Sequence, residues 1–174
     1  FDSKLNGVEM YKWASDLFPI CRSITGNGVR ETLSYMKNIL PDLNIKKIDS
    51  GTKVYDWSIP DEWNIYDAYI EDENGFKWVD FNKNNLHVVG YSESIDLWMG
   101  FDELDQYLHT LPSQPNAIPY ITSYYNKTWG FCLSENDKKE MPNGKYHVVI
   151  NSTTTKGVMN YADIVIEGKS NKEV

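Results

Sequence analysis

The sequence predicts an α+β fold, with N-terminal helices followed by a β-rich domain of mostly antiparallel sheet. Three observations carry this. Apolar residues recur at helical spacing through the first forty residues, the texture changes to period two from about Asn44, and the two kinds of segment do not interleave. Helices segregated from strands mark α+β rather than a doubly wound sheet. Hydrophobic residues make up 41% of the 174, enough for a sizeable core. Aromatics reach 14%, a load that suits strands and packed sheet faces.

The elements follow in order. Met10, Tyr11, Ala14, Leu17 and Phe18 share one helical face, opposite Glu9, Lys12 and Asp16, and Pro19 ends the helix. Val29, Leu33, Met36 and Leu40 repeat the spacing in a second helix, with Asn27 as its expected N-cap and Pro41 as its stop. The run from Asn44 to Pro60 reads as one or two strands. Residues 65–70 alternate, and Asn74-Gly75 predicts a hairpin turn because both residues tolerate positive φ. "NNLHVVGYS" and "SIDLWMG" read as strands, "FDELDQYLHT" as a short helix, and "LPSQPNAIP" as a loop. "YITSYYNKTWGFCLS" reads as strand and "SENDKKEM" as a turn or a single helical turn. "KYHVVINS" and "GVMNYADIVIEG" are expected to pair with each other about Thr153 to Lys156, and a further strand is expected to begin at Lys169. The total is about seven to nine strands.

Charge removes some function classes. A formal net charge of −8 with no basic run is repelled by phosphate backbones, which sets nucleic acid aside. No window approaches the roughly 20 apolar residues of a membrane span. Two cysteines, Cys21 and Cys132, are too few for an oxidised scaffold and point to the cytoplasm. The sequons at Asn126 and Asn151 have no meaning there.

Candidate sites have competing readings. "PICRSITGNGVRETL" lacks the Lys-Ser/Thr ending of a P-loop, since Val29 and Arg30 follow Gly28. Cys21 has no adjacent histidine base and reads as a small buried residue. Arg22, beside a glycine bend, is either a structural ion-pair partner or a substrate contact. His87, His109 and His147 lack metal-site spacing, and His87 and His147 read as hydrogen-bonded strand residues. Among the many carboxylates no pair stands out for acid–base work. Adjacent Tyr124 and Tyr125 point to opposite faces of a strand, so one of them faces out. An outward tyrosine or tryptophan stacks on a sugar or a peptide; the alternative for the whole aromatic run is core packing.

Five long stretches together are similar to a bacterial family of aminopeptidase-like proteins of undefined function. They are "PICRSITGNGVRETL", "SGTKVYDWSIPDEWNIYDAYIED", "VDFNKNNLHVVGYS", "LHTLPSQPNAIPYITSYYNKTWGFCLS" and "GKYHVVINSTTTKG", in that order and nearly end to end. The family resembles zinc-dependent exopeptidases with an inserted β-rich domain, and is often encoded beside surface-polysaccharide genes. The resemblance implies three parts: residues 1–49 as a helical segment of the peptidase-like domain, 50–155 as an inserted lid or specificity domain, and 156–174 as a return strand. It implies zinc in the parent protein with ligands beyond Val174, and therefore neither catalytic residues nor metal ligands in this chain. The resemblance implies that in the whole enzyme such a metal would supply polarisation of a carbonyl and activation of water. The expected substrate is a peptide or a small aminoacyl or glycan-type molecule, met by Arg22, Trp57, Trp63, Tyr124, Tyr125 and Trp129. Tyr66 departs from the family pattern, where a basic residue is expected. Two other readings remain: a glycan- or peptide-binding module without chemistry, and a structural or oligomerisation domain that forms a homo-oligomer.

Overall fold

The computed structural model describes residues 3–168. The expected strand start at Lys169 lies outside them. Two helices lead, α1 (Ser3–Leu17) and α2 (Asn27–Ile39). Strand β1 (Asn44–Asp49), the short hairpin β2 (Lys53–Val54) and β3 (Trp57–Ser58), then β4 (Glu62–Asp72) and β5 (Lys77–Asp80) follow. A single 3₁₀ turn at Asn85–His87 precedes β6 (Ile95–Gly100). Next come α3 (Phe101–Leu104), β7 (Leu108–His109), β8 (Phe131–Cys132) and α4 (Glu135–Glu140). Strands β9 (Lys145–Thr155) and β10 (Val158–Asp163) close the order. The architecture is α+β, and its main sheet is antiparallel in the order β5-β4-β9-β6.

Alternation decides which face of that sheet is buried. Ala68, Ile70, Val79, Met99, Tyr146, Val148 and Ile150 form its inner face. Leu104, Leu108, Phe131, Leu133 and Met141 cover it from the segments between β6 and β9. Tyr146 is buried with its ring in this core, and its hydroxyl donates to the Pro142 carbonyl at 2.6 Å, so its polar end is satisfied. On the opposite face His147 lies between Glu71 and Asp96 and stacks on Trp98.

Several expectations are corrected by tertiary pairing. β9 and β10 do not pair with each other. β9 runs between β4 and β6, whereas β10 crosses to β1 with Asp49 opposite Val158. A strand pairs where its edge finds a partner, and the long β4 offers β9 ten register positions. "NNLHVVGYS" is not a strand: the Asn84 side chain accepts from the Leu86 N–H and starts the 3₁₀ turn, and only Val88 and Gly90 make isolated bridges. "YITSYYNKTWGFCLS" is mostly loop, strand only at Phe131–Cys132: Ile121, Ser123, Thr128 and Gly130 make scattered backbone bonds to Val89–Glu93, and Tyr124 to Lys127 lie exposed. "FDELDQYLHT" is helical through Leu104 and 3₁₀ to Tyr107, but Leu108 already belongs to a strand. Asn27 is the first residue of α2, and Gly26 occupies the cap at φ 92°.

The turn after β4 works differently from a two-residue hairpin. Gly75 takes positive φ, but Asn74 does not. The Asp72 carboxylate instead accepts from the N–H groups of Asn74 and Phe76 and from the Trp78 indole. The apolar face expected for α1 exists but is not covered: Val8, Met10, Tyr11 and Phe18 are exposed.

Candidate functional site

The bend that joins α1 to α2 is clamped from two sides. At Gly26 an added Cβ would stand 2.2 Å from the Trp63 carbonyl oxygen, and at Gly28 2.0 Å from that of Cys21. Both glycines are therefore demanded by close backbone approach. Thr25 is buried between them and β4: its hydroxyl lies 2.6 Å from the Tyr91 hydroxyl and accepts from the Trp63 N–H at 3.1 Å. Asn64 accepts from the Asn27 N–H at 2.7 Å, which fixes the first turn of α2. Arg30 on α2 reaches Glu62 at 2.5 Å, and Glu62 also accepts from the Val158 N–H at 3.3 Å. The Arg30 hydrogen bond comes first in holding the Glu62 carboxyl down to about 2. Glu62 thereby ties α2, β4 and β10 together.

Trp63 forms a partition. It is 3% exposed, its indole N–H donates to the Ser92 carbonyl at 3.0 Å, and its ring stacks on Tyr91 with centroids 5.6 Å apart. On one side lies a cavity of about 360 Å³ walled by Phe18, Cys21, Arg22, Trp63, Leu86 and Tyr120 among others. On the other side Tyr91 lines a cleft of about 530 Å³ with Tyr124, Tyr125, Asp61, Glu93 and Lys156. Tyr124 meets Tyr91 edge-on at 5.3 Å, and the Tyr125 hydroxyl donates to the Ser58 carbonyl. Tyr91 and Tyr124 both have positive φ, 67° and 43°. Such conformations cost a non-glycine residue about 1–3 kcal/mol and persist only where packing over-determines them. Here the Trp63–Tyr91–Tyr124 series, stacked at its first contact and edge-on at its second, supplies the packing.

The structure brings together some of the residues expected from sequence and separates others. Trp63, Tyr124 and Tyr125 belong to this aromatic series and its cleft. Trp57 lies on the β2–β3 hairpin beside Ser58, the residue that Tyr125 bonds. Arg22 is on the far side of Trp63, where one guanidinium N–H caps α1 through the Leu17 carbonyl at 2.8 Å. Trp129 stacks on Tyr107 with centroids 3.8 Å apart and packs against the core. Sequence reasoning missed Tyr91, and it placed Tyr120 in the aromatic run without counting it among the substrate contacts. Nothing in "VVGYS" signals a left-handed tyrosine, because that conformation is imposed by contacts with Thr25 and Trp63, distant in the chain. Tyr66, where a basic residue is expected, sits at a bulge in the β4–β9 pairing and lines a pocket of about 110 Å³ with Ser23 and Asn64.

The thiols are not activated. Burial pushes Cys21 up to about 11, against the opposing charge of Arg22, and pushes Cys132 up to about 12. Of the histidines, His87 meets the Cys132 carbonyl through Nδ1 at 2.8 Å from a 3₁₀ turn, not a strand. His147 is a strand residue whose two ring nitrogens face different carboxylates, Glu71 at 3.3 Å and Asp96 at 2.7 Å. Among the described residues no three His, Cys, Asp or Glu side chains converge as metal ligands do. The described residues thus do not fit a zinc site, and no step through a metal is assigned to them.

A family model described as "Domain of unknown function (DUF2172)" matches residues 62–153. The chain belongs to the DUF2172 family. The DUF2172 span opens at the first residue of β4 and closes within β9, so it holds the four-stranded sheet except the last two residues of β9 and, at its start, Trp63. Arg22, Thr25 and Arg30 lie outside the DUF2172 span; Thr25 meets it at Trp63 and Tyr91, Arg30 meets it at Glu62, and Arg22 shares a cavity wall with Trp63. The chain is 46% identical over 173 residues to a Clostridium acetobutylicum protein named "Putative polysaccharide biosynthesis protein with aminopeptidase-like domain". That alignment covers 99% of this chain and 40% of the relative. A solved structure described as a "putative peptidase" from Clostridium acetobutylicum matches at 48% identity with a TM-score of 0.89, over 92% of this chain and 38% of that one. The DUF2172 chain thus spans about two-fifths of the length of these relatives. Among its described residues no helix is long and apolar enough to cross a membrane.

Proposed function

We propose that this chain is the N-terminal portion of a zinc-dependent aminopeptidase-like hydrolase, in which the DUF2172 sheet serves as a lid or substrate-cleft domain and the metal ligands belong to another part of the protein. One observation carries the reading: near end-to-end similarity to a protein named for an aminopeptidase-like domain, of which this chain matches 40%. Two features of the fold support it. β1 and β10 pair so that Asp49 and Val158 are opposite, and the chain that carries the expected insert, residues 50–155, leaves and returns at one place, as an inserted domain does. The exposed apolar residues of α1 and of Ile164, Val165 and Ile166 suit burial against a larger body. In this reading residues 1–49 and 156–174 belong to the peptidase-like domain and the protein works in the cytoplasm. Its substrate is a peptide or a small aminoacyl molecule that lies against Tyr124 and Tyr125.

The test is hydrolysis of aminoacyl p-nitroanilides by the protein at its native length, before and after chelation. Loss of cleavage with chelator and its return with zinc are the expected results. Chelator-insensitive cleavage overturns the zinc dependence, and no cleavage of any aminoacyl substrate overturns the hydrolase reading. Tyr125, 60% exposed on its cleft, favours one alternative, a binding module without chemistry. That alternative predicts glycan or peptide binding with no turnover.

A further inference from the structure

Among the described residues, the cavity beside Trp63 has one formally charged side chain in its wall, Arg22. Its other walls are apolar or neutral, with Val88 buried, Leu86 half-buried, and Phe18 and Tyr120 exposed at the rim. A lone cation over an apolar hollow sets up a local positive field in a chain of net charge −8. Arg22 gives one N–H to the Leu17 carbonyl, and its remaining donors meet no carboxylate or carbonyl among the described residues. The Asn85 amide donates to the Phe18 carbonyl at 2.6 Å and holds the opposite lip in place. At about 360 Å³ the cavity falls at the small end of ligand sites, which run from about 300 to 1,000 Å³. A guanidinium fork matches a carboxylate with two parallel hydrogen bonds. A dianionic phosphate calls for a second cation, and the cavity offers none among the described residues.

We propose that the cavity bounded by Arg22, Trp63 and Tyr120 is a carboxylate subsite that takes a small acid with an apolar body. The inference rests on the hydrolase reading only for the origin of that acid, the C-terminal residue of a short peptide. Arg22 pairs with the carboxylate, Trp63 and Tyr120 flank the apolar body, and Cys21 stays a neutral thiol in the wall.

Two probes that differ only in charge test it: N-acetyl-L-phenylalanine and its amide, titrated into ¹⁵N-labelled protein of native length. The Trp63 indole N–H is the reporter. The acid is expected to move that resonance and to bind about tenfold or more tightly than the amide, the worth of a charge-assisted hydrogen bond. Arg22→Gln removes the preference, and Arg22→Lys keeps part of it. Arg22 also caps α1, so Tyr120→Ala provides a variant that leaves the cap alone, and it weakens acid and amide alike. Equal binding of acid and amide, or resonance changes that spare Trp63, overturns the subsite. Selective binding in a protein that does not cleave peptides upholds the subsite and counts against the hydrolase. Cleavage without selective binding does the reverse.

Discussion

Gly26 lies so close beneath Trp63 that a Cβ on it would stand 2.2 Å from the Trp63 carbonyl oxygen. This contact locks the α1–α2 bend onto the first turn of the main sheet's longest pairing. It joins the helical segment to the sheet without a large apolar interface, since α2 has no buried residue. Backbone proximity and polar bonds therefore carry the junction.

The first prediction concerns that lock. Gly26→Ala meets both the carbonyl and a φ of 92°, and is expected to destabilise by about 2–4 kcal/mol. Gly51→Ala has a similar φ, 86°, but open space around it, and is expected to cost only about 1 kcal/mol. Urea midpoints of the two variants check the difference. Equal losses would mean that strain alone matters and the Trp63 contact does not.

The second concerns acid. Glu62 titrates near 4.5 when free and about 2 when folded, because Arg30 and the Val158 N–H favour its charged form. A depressed folded value gives stability that is complete above about 4.5 and fades as pH falls toward 2. Glu62→Gln is expected to lose about 1.5–3 kcal/mol at pH 7 and to flatten the pH dependence in that window. An unchanged acid slope in the variant would remove Glu62 from the account.

A third prediction has the opposite sign. His147 is raised above its ordinary 6.5, first by Asp96 and then by Glu71. Its contribution is complete below about 6.5 and is lost as pH rises through the raised folded value. Asp96 is largely exposed, so water screens the pair and the effect stays below about 1 kcal/mol. An NMR titration of the imidazole protons, compared with Asp96→Asn, reads it; a His147 value at or below that of a free histidine contradicts the clamp.

The fourth concerns the thiols. With Cys21 at about 11 rather than 9.0, its thiolate fraction at pH 8 is about 100-fold below that of a free cysteine. Cys132 is fully buried and is expected to react with a disulfide reagent only as the protein unfolds. Rapid labelling of either thiol in the folded protein would show that the bend or the core opens readily.

Much of this protein was legible in its residues, as α2 and β4 illustrate. Period 3.6 placed α2 between a glycine bend and Pro41, and period two placed β4, because both patterns are local. The α+β class and the aminopeptidase-like resemblance were legible for the same reason: they are properties of ordered segments. Tertiary structure alone decided which strands pair. β9 and β10 adjoin in sequence, yet β9 joins β4 and β10 joins β1, since hydrogen-bonding edges find partners in space. It also decided the site. Trp63, Tyr91 and Tyr124 are brought together by contacts between distant segments, and two of these residues take backbone conformations that no local signal encodes. Periodicity records how each segment meets solvent, whereas a cavity is defined by segments that meet one another.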